Sequence, residues 1–343
     1  MQKPEREQGR YFRRSHYALT HARAIAKYMS FDNVKWIWKN GEIVPWADAT
    51  VHVSAHGLHY GSGVFEGIRC YATDAGPALF RLPEHLERFY ASAEVYGIEI
   101  PYSQTEIEDA ICELINVNEF ESCYVRPICY MGSASLGVHP GKCPAEVAIM
   151  AWPWSAYLGA EGLEKGVRVT VSPWRKFHSS MMPTTAKACG QYLNSILAVR
   201  DAFVRGFDEA LLLDKDGKLA EGSGENLFVI KDRTIFTNRA DDSILMGITR
   251  SAAIEIALRL GYRVETRVLE LRHLLNADEA FFTGTAAEIT PIREFDGDVI
   301  GSGRRGPVTE RIQKAFFDAT SGRDERFQKW LRVVEPVEEF VTA

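Results

Sequence analysis

The sequence predicts a mixed α/β chain of the α+β kind, folded as two domains, and three observations carry that reading. The chain has 343 residues, enough for two sizeable cores at roughly 150 residues per domain. An Asn-Gly dipeptide between two short β-rich runs opens an antiparallel sheet early in the body. Segments of helical periodicity then alternate with short apolar strands along the whole chain.

Residues 1–30 stand apart as a basic N-terminal extension. Seven basic residues there face only Glu5 and Glu7, whereas the remaining 313 residues hold 33 basic against 44 acidic ones. An Arg-rich, acid-poor leader is the pattern of an organelle transit peptide, but the early acids and few serines favour a plain surface appendage. The small domain, 31–152, begins with Trp36–Lys39, the turn Asn40-Gly41 and Glu42–Val44. Helical spacing follows over Pro83–Tyr96, with Leu86, Phe89, Ala93 and Val95 near one face, and over Thr105–Val117, with Ile107, Ile111 and Leu114. Strands are expected at Cys123–Tyr130 and Glu146–Trp152. Turn formers and small residues make 153–164 the interdomain linker.

The large domain, 165–343, opens with a strand at Val167–Val171 and a long helix over about Gln191–Arg205. Its apolar stripe, Leu193, Ile196, Leu197 and Phe203, is expected to face the core. A meander follows at Glu209–Leu213, Lys218–Leu219, Asn226–Ile230 and Thr234–Phe236, and a second helix runs from Gly247 to Leu260, stopped by Gly261.

Composition narrows the function. With 46% hydrophobic and 25% charged residues, disordered, collagenous and coiled-coil readings fall away. A net charge of −6 without a long basic stripe in the body lacks the footprint of nucleic-acid binding, so a small-molecule partner is expected. No run of about 18 uncharged apolar residues and no apolar signal core occur, which implies a cytoplasmic protein with no membrane partner. The six cysteines form no C-x-x-C pair and read as reduced core thiols. His52, His56 and His59 approach metal spacing, but no carboxylate or cysteine completes the set, and no metal is expected.

Four stretches carry chemistry. Lys187, in Thr184-Thr-Ala-Lys-Ala, sits among small residues before a helix, where a desolvated amine becomes a nucleophile and base; a lysine that snorkels to solvent fits the same stretch. Glu221 enters a Gly-Ser-Gly turn, where a carboxylate can keep a ring nitrogen protonated. Ile248 and Thr249 open a helix whose free amides suit a phosphate, or merely a threonine cap. Thr285, Ala286 and Ala287 follow a strand in a small-residue turn that can nest a phosphate or carboxylate. Each alone is ambiguous, but their joint occurrence in this order is specific.

From roughly Trp36 to Val333 the chain resembles the branched-chain amino-acid aminotransferases, within the fold type IV pyridoxal-phosphate enzymes. The motifs are Gly57-Leu-His-Tyr-Gly-Ser-Gly-Val-Phe-Glu-Gly-Ile-Arg69, Tyr124-Val-Arg-Pro127, Tyr192-Leu-Asn-Ser195, Glu221-Gly-Ser-Gly-Glu-Asn226 and Gly284-Thr-Ala-Ala-Glu288. The resemblance implies that Lys187 is the Schiff-base lysine and proton shuttle, that Glu221 meets the pyridine nitrogen and that Tyr192 meets the phenolic oxygen. It implies a phosphate set of Arg88, Ile248, Thr249 and Thr285; the residues alone would put Arg88 on a solvated helix face. It also implies a substrate pocket of Tyr60, Phe65, Gly67, Tyr124, Arg126, Tyr157, Tyr192, Thr285 and Ala286, in which Arg126 meets the distal carboxylate of 2-oxoglutarate or glutamate. Tyr124 would orient Arg126, and Gly67 would leave room near the ring.

The implied cofactor is pyridoxal 5'-phosphate, the substrates L-leucine, L-isoleucine and L-valine with 2-oxoglutarate, and the assembly a homodimer whose partner helps close a site between the domains. Rival readings are a D-amino-acid aminotransferase, an (R)-selective amine transaminase, an aminodeoxychorismate lyase, or a non-catalytic cofactor-binding protein. The Tyr124-x-Arg126 placement and the segment from Tyr60 to Gly67 resemble the branched-chain group, and Lys187, Glu221 and Arg88 are all present.

Overall fold

The computed structural model describes residues 31–154, 158–241 and 243–336. The basic extension and Tyr157 lie outside them. The described residues form two compact units. One holds 31–154, 185–192 and 315–336, and the other holds 158–184, 193–241 and 243–314.

The first unit is built on an antiparallel sheet. Its strands are β1 (Trp36–Lys39), β2 (Glu42–Pro45), β3 (Gly63–Phe65), β4 (Ile68–Thr73), β5 (Gly76–Phe80), β6 (Cys123–Met131) and β7 (Ala145–Trp152). In space, the C-terminal strand Leu331–Val333 is followed by β5, β4, β6, β7, β1 and β2, with β3 also paired to β6. The β1–β2 hairpin is the one its dipeptide predicts: Asn40 has φ 49° and Gly41 φ 95°, and Lys39 lies opposite Glu42, as a type I′ turn requires.

Helix α1 (His56–Tyr60) is short; α2 (Leu82–Val95) and α3 (Gln104–Val117) bury Leu86, Phe89 and Ala93, and Ile107, Ile111 and Leu114, respectively. Val95 is instead exposed, because it sits at the end of α2, past the buried face. The start of α3 is fixed by a capping box, in which Ser103 accepts from the Glu106 amide and the Glu106 carboxylate accepts from the Ser103 amide.

The second unit begins with the short helix α4 (Gly159–Lys165), within the stretch read as linker. Its sheet contains β8 (Val167–Val171), β9 (Glu209–Leu213), β10 (Leu219–Gly222), β11 (Asn226–Lys231), β12 (Thr234–Thr237), β13 (Arg263–Thr266), β14 (Glu279–Gly284) and β15 (Glu288–Phe295). The order is β10, β9, β8, β15, β14, β11, β12, β13. The pairs β8–β9, β8–β15 and β12–β13 are parallel and the others antiparallel. A cluster of Val169, Leu211, Leu227, Phe282 and Ile292 forms the core against this sheet.

Two sequence expectations change. The division into domains is not linear: residues 185–192 join the first unit through an Ala188–Val64 bridge and a Phe65 amide that donates to the Lys187 carbonyl, while Leu331–Val333 pairs with β5. The helix α5 (Tyr192–Val204) also turns the other way. Leu193, Ile196 and Leu197 are 65%, 55% and 42% exposed, and the buried residues are Ser195, Ala198 and Ala202. Small side chains let the helix lie close to Ala210 and Leu212 of β9, so the larger apolar residues face outward.

The remaining helices, α6 (Ile248–Arg259), α7 (Leu271–Leu275) and α8 (Pro307–Thr320), complete the set. Among the described residues, no helix is long and apolar enough to cross a membrane, and no cluster of His, Cys, Asp or Glu is arranged to hold a metal. His56 is occupied structurally: its Nε2 donates to the Gly137 carbonyl at 2.7 Å, which leaves Nδ1 to accept from the Ser62 hydroxyl at 2.6 Å. All six cysteines are free thiols, with Cys112 and Cys189 only half-buried.

Candidate active site

In the first unit the focus is Lys187. Its segment is clamped by main-chain bonds. The Lys187 amide donates to Ser92 Oγ at 3.0 Å, its carbonyl accepts from Phe65, and the Gly190 amide donates to the Gly61 carbonyl at 3.2 Å. Gly61 has φ +66°, and a Cβ there would come 2.8 Å from the Gly190 Cα. Only glycine allows that approach.

From this clamp the Lys187 amine reaches to 2.6 Å from Tyr192 Oη and lies 5.0 Å from the Phe65 and Tyr192 ring centres. Burial lowers its pKa to about 8, with the Glu66 carboxylate pulling it up and the cations of Arg88 and Arg126 pushing it down. The amine is therefore partly neutral near neutral pH, as a nucleophile and proton carrier must be.

Phe65, Tyr124 and Trp152 surround the Arg126 guanidinium, with ring centres 4.7, 5.4 and 5.8 Å from it. Arg126 Nη2 reaches Tyr124 Oη at 3.5 Å, and its buried Nε has no partner among the described residues. An orphaned donor on a half-buried cation suits an incoming carboxylate. Gly67 has a sharper role than the sequence suggested. A Cβ there would fall 1.8 Å from Tyr124 Oη, so the vacant volume is filled by the phenol. Tyr60 is nearly half exposed, its ring tilted at 33° to that of His56 with the centres 4.5 Å apart.

Arg88 is paired, not solvated. Its Nε and Nη2 donate to the two oxygens of Glu66 at 2.6 and 2.9 Å, and His85 Nδ1 donates to the same carboxylate at 2.7 Å. Burial opposes the charge on Glu66, but Arg88 and His85 outweigh it and hold the carboxyl well below the usual range. Neither Glu66 nor His85 stands out in the sequence. The only signal is the i, i+3 spacing of His85 and Arg88 on one helix face.

In the second unit, Glu221 is buried at the end of β10, opposite Asn226. Its Oε2 accepts from the Leu245 amide at 2.9 Å and from Asn226 Nδ2 at 3.2 Å, and Lys176 Nζ lies 2.6 Å from Oε1. Lys176 is a partner that the sequence reading missed. Asn226 also donates to the Leu245 carbonyl at 2.8 Å and accepts from the Gly247 amide at 3.1 Å, which ties the carboxylate to the entry of α6. Ile248 and Thr249, both buried, open that helix, and its N-cap Gly247 makes no side-chain cap, so the free amides and dipole favour an anion. Thr285 and Ala286 occupy the turn between β14 and β15, half-buried.

These residues fit pyridoxal phosphate by their chemistry: a desolvated lysine for an aldehyde carbon, a buried carboxylate for a ring nitrogen, a phenol, and an uncapped helix start with a threonine for a phosphate.

Comparison with known proteins supplies the family. The model of the class IV amino-transferases matches residues 63–295, and the chain belongs to that class, whose members depend on pyridoxal phosphate. Its relatives there are branched-chain-amino-acid aminotransferases. That of Pseudomonas aeruginosa is 46% identical over 87% of this chain and 97% of its own length. That of Escherichia coli K12 is also 46% identical, over 88% and 98%. The crystal structure of the T.th. branched-chain amino acid aminotransferase with pyridoxamine 5'-phosphate superposes with a TM-score of 0.86 at 47% identity, covering 88% of this chain and 99% of that one.

Proposed function

We propose that the chain transfers the amino group between L-leucine, L-isoleucine or L-valine and 2-oxoglutarate, giving the branched-chain 2-oxo acid and L-glutamate. The observation that carries this reading is the Lys187 amine, its pKa lowered to about 8 beside Tyr192 and walled by Phe65, close to the half-buried Arg126 with its open Nε donor.

Bound pyridoxal phosphate supplies the electron sink that makes a substrate Cα–H removable. Lys187 would hold the cofactor at its aldehyde carbon and, once displaced by the substrate's amine, would carry the proton between the substrate Cα and C4′. Tyr192 would hold the phenolic oxygen, and Glu221, kept in place by Leu245 and Asn226, would accept from the ring N–H. Arg88 in the first unit, and Ile248, Thr249 and Thr285 in the second, are the residues that would hold the phosphate.

The substrate side is formed by Tyr60, Phe65, Gly67, Tyr124, Arg126, Thr285 and Ala286, with Tyr157 outside the described residues. Phe65 and Tyr192 suit an aliphatic side chain, because burying apolar surface is favourable at about 25 cal/mol per Å². Arg126 reaches in for the distal carboxylate of glutamate and turns toward its ring neighbours when the side chain is aliphatic. A homodimer is supported by apolar side chains exposed on α1, on the residues before it and on the loop between β6 and β7: Val53, Leu58, Leu136 and Val138 are 75%, 64%, 56% and 86% exposed.

The test is the visible absorbance of the cofactor-loaded protein. Addition of L-isoleucine should bleach the band, 2-oxoglutarate should restore it, and D-alanine should leave it unchanged. A response to D-alanine alone would move the assignment to D-amino acids, and silence toward both would refute the reaction proposed.

A further inference from the structure

We propose that Glu66 is a positioning residue that fixes the Arg88 guanidinium for the cofactor phosphate, with His85 locking the carboxylate from behind. The inference rests on the reading of Arg88 as a phosphate ligand. Glu66 is fully buried and His85 is 1% exposed, so neither has water as an alternative partner.

The Glu66 carboxylate is held by fixed donors. Arg88 supplies a two-point grip, His85 Nδ1 adds a third donor, and the Gly67 amide adds a fourth at 3.2 Å. The Glu66 amide itself donates to the Pro127 carbonyl at 2.9 Å. A planar guanidinium held at two nitrogens by a carboxylate loses its rotational freedom. Burial keeps His85 below its ordinary pKa despite the nearby carboxylate, so it serves as a neutral donor. The resulting chain runs from sheet to carboxylate to arginine, and the arginine presents one orientation before any ligand arrives.

The same carboxylate acts on Lys187, whose charged neighbours are Glu66, Arg88 and Arg126, with Tyr124, Tyr192 and His85 beside them. Glu66 supports the protonated amine and Arg88 opposes it. Removing either residue should therefore move the amine's titration in opposite directions, a signature that loss of packing would not produce.

The experiment compares pyridoxal phosphate with pyridoxal, which lacks the phosphate, as ligands of the cofactor-free full-length protein. Glu66→Gln should weaken pyridoxal phosphate relative to pyridoxal about ten- to a hundredfold, the scale on which partners of a metal ligand act, any change through the Lys187 amine being common to both. Glu66→Asp should restore part of the loss. In the same cofactor-free samples, the pH midpoint of Lys187 acylation, followed by mass spectrometry, should fall in Glu66→Gln and rise in Arg88→Met.

Gln removes repulsion of the phosphate along with the clamp, so unchanged or tighter pyridoxal phosphate binding in Glu66→Gln overturns the proposal. If Arg88→Met binds pyridoxal phosphate normally, the phosphate reading of Arg88 fails and the proposal fails with it. If Arg88→Met is impaired and Glu66→Gln is not, the positioning role alone fails. Should Glu66→Gln not fold, His85→Leu, which removes one donor and no charge, should give a smaller loss of the same selectivity, and a loss shared equally by pyridoxal would count against the role.

Discussion

Gly67→Ala tests the packing that would orient Arg126 for a substrate carboxylate. The added Cβ would meet Tyr124 Oη at 1.8 Å and the adjoining ring carbons at 2.7 and 3.2 Å, whereas ordinary contact begins at 3.4 Å. The hydroxyl must retreat by about 1.6 Å, far more than a close-packed interior absorbs by breathing. Tyr124 packs against Trp152 and Trp154, with ring centres 5.1 and 4.4 Å away, so the phenol must turn or push against them to make room. Its hydroxyl then leaves Arg126 Nη2. Overpacking of this kind costs about 1–3 kcal/mol of stability, and a misplacement of about 1 Å in a positioning group can cost about a hundredfold in rate.

The assay is stopped-flow measurement of the two half-reactions in Gly67→Ala, with thermal denaturation alongside. We expect kcat/KM for glutamate to fall by one to two orders of magnitude, about 1.4–2.7 kcal/mol, and the isoleucine half-reaction to fall less. Tyr124→Phe in the same background removes the worst overlap and should recover part of the stability. A Gly67→Ala protein with native stability and an unchanged glutamate reaction would refute the placement of Tyr124 against Gly67.

Three further outcomes follow from the geometry. Asn226→Ala removes two donations and one acceptance that join Glu221, Leu245 and Gly247; unfolding should be easier by about 2–3 kcal/mol, and dialysis should strip pyridoxal phosphate faster than from wild type. Arg126→Met should slow the glutamate half-reaction more than the isoleucine one, and equal losses in single-turnover traces would remove Arg126 from the distal-carboxylate role. Because burial lowers Lys187 from 10.5 to about 8, the unfolded chain keeps that proton to higher pH than the native one. The cofactor-free protein should therefore gain stability as pH rises from about 8 toward 10.5, and Lys187→Met should flatten that part of a Tm-against-pH curve.

How far the sequence spoke depended on the range of the interaction. Asn40-Gly41 encodes its turn locally, and the ladder follows. The apolar spacing of α5 was also legible, but periodicity reports only that two faces differ. Ala198 and Ala202 pack inward because β9 approaches closely, a fact about residues that lie farther along the chain. Lys187 was visible as a candidate and its surroundings were not: the charges that set its titration come from Glu66, Arg88 and Arg126, about 60 to 120 residues earlier. Arg88 shows the limit most sharply, since alone it reads as a solvated helix residue, and only the fold brings Glu66 against it. Lys176, paired with Glu221, lay on a stretch whose neighbouring residues gave no cue.

The Gly61–Gly190 contact has a bearing on how this pocket can be altered. The two positions are not equivalent: a Cβ on Gly61 runs into the opposing main chain, while one on Gly190 meets Gly61 atoms at 3.4 Å or more. Residue 61 thus sets the height at which Lys187 leaves the backbone, much as a shim sets a blade. A library built to widen substrate range can place a small side chain at 190 while keeping Tyr124 and Tyr192, but variation at 61 would shift the Lys187 amine relative to every group around it.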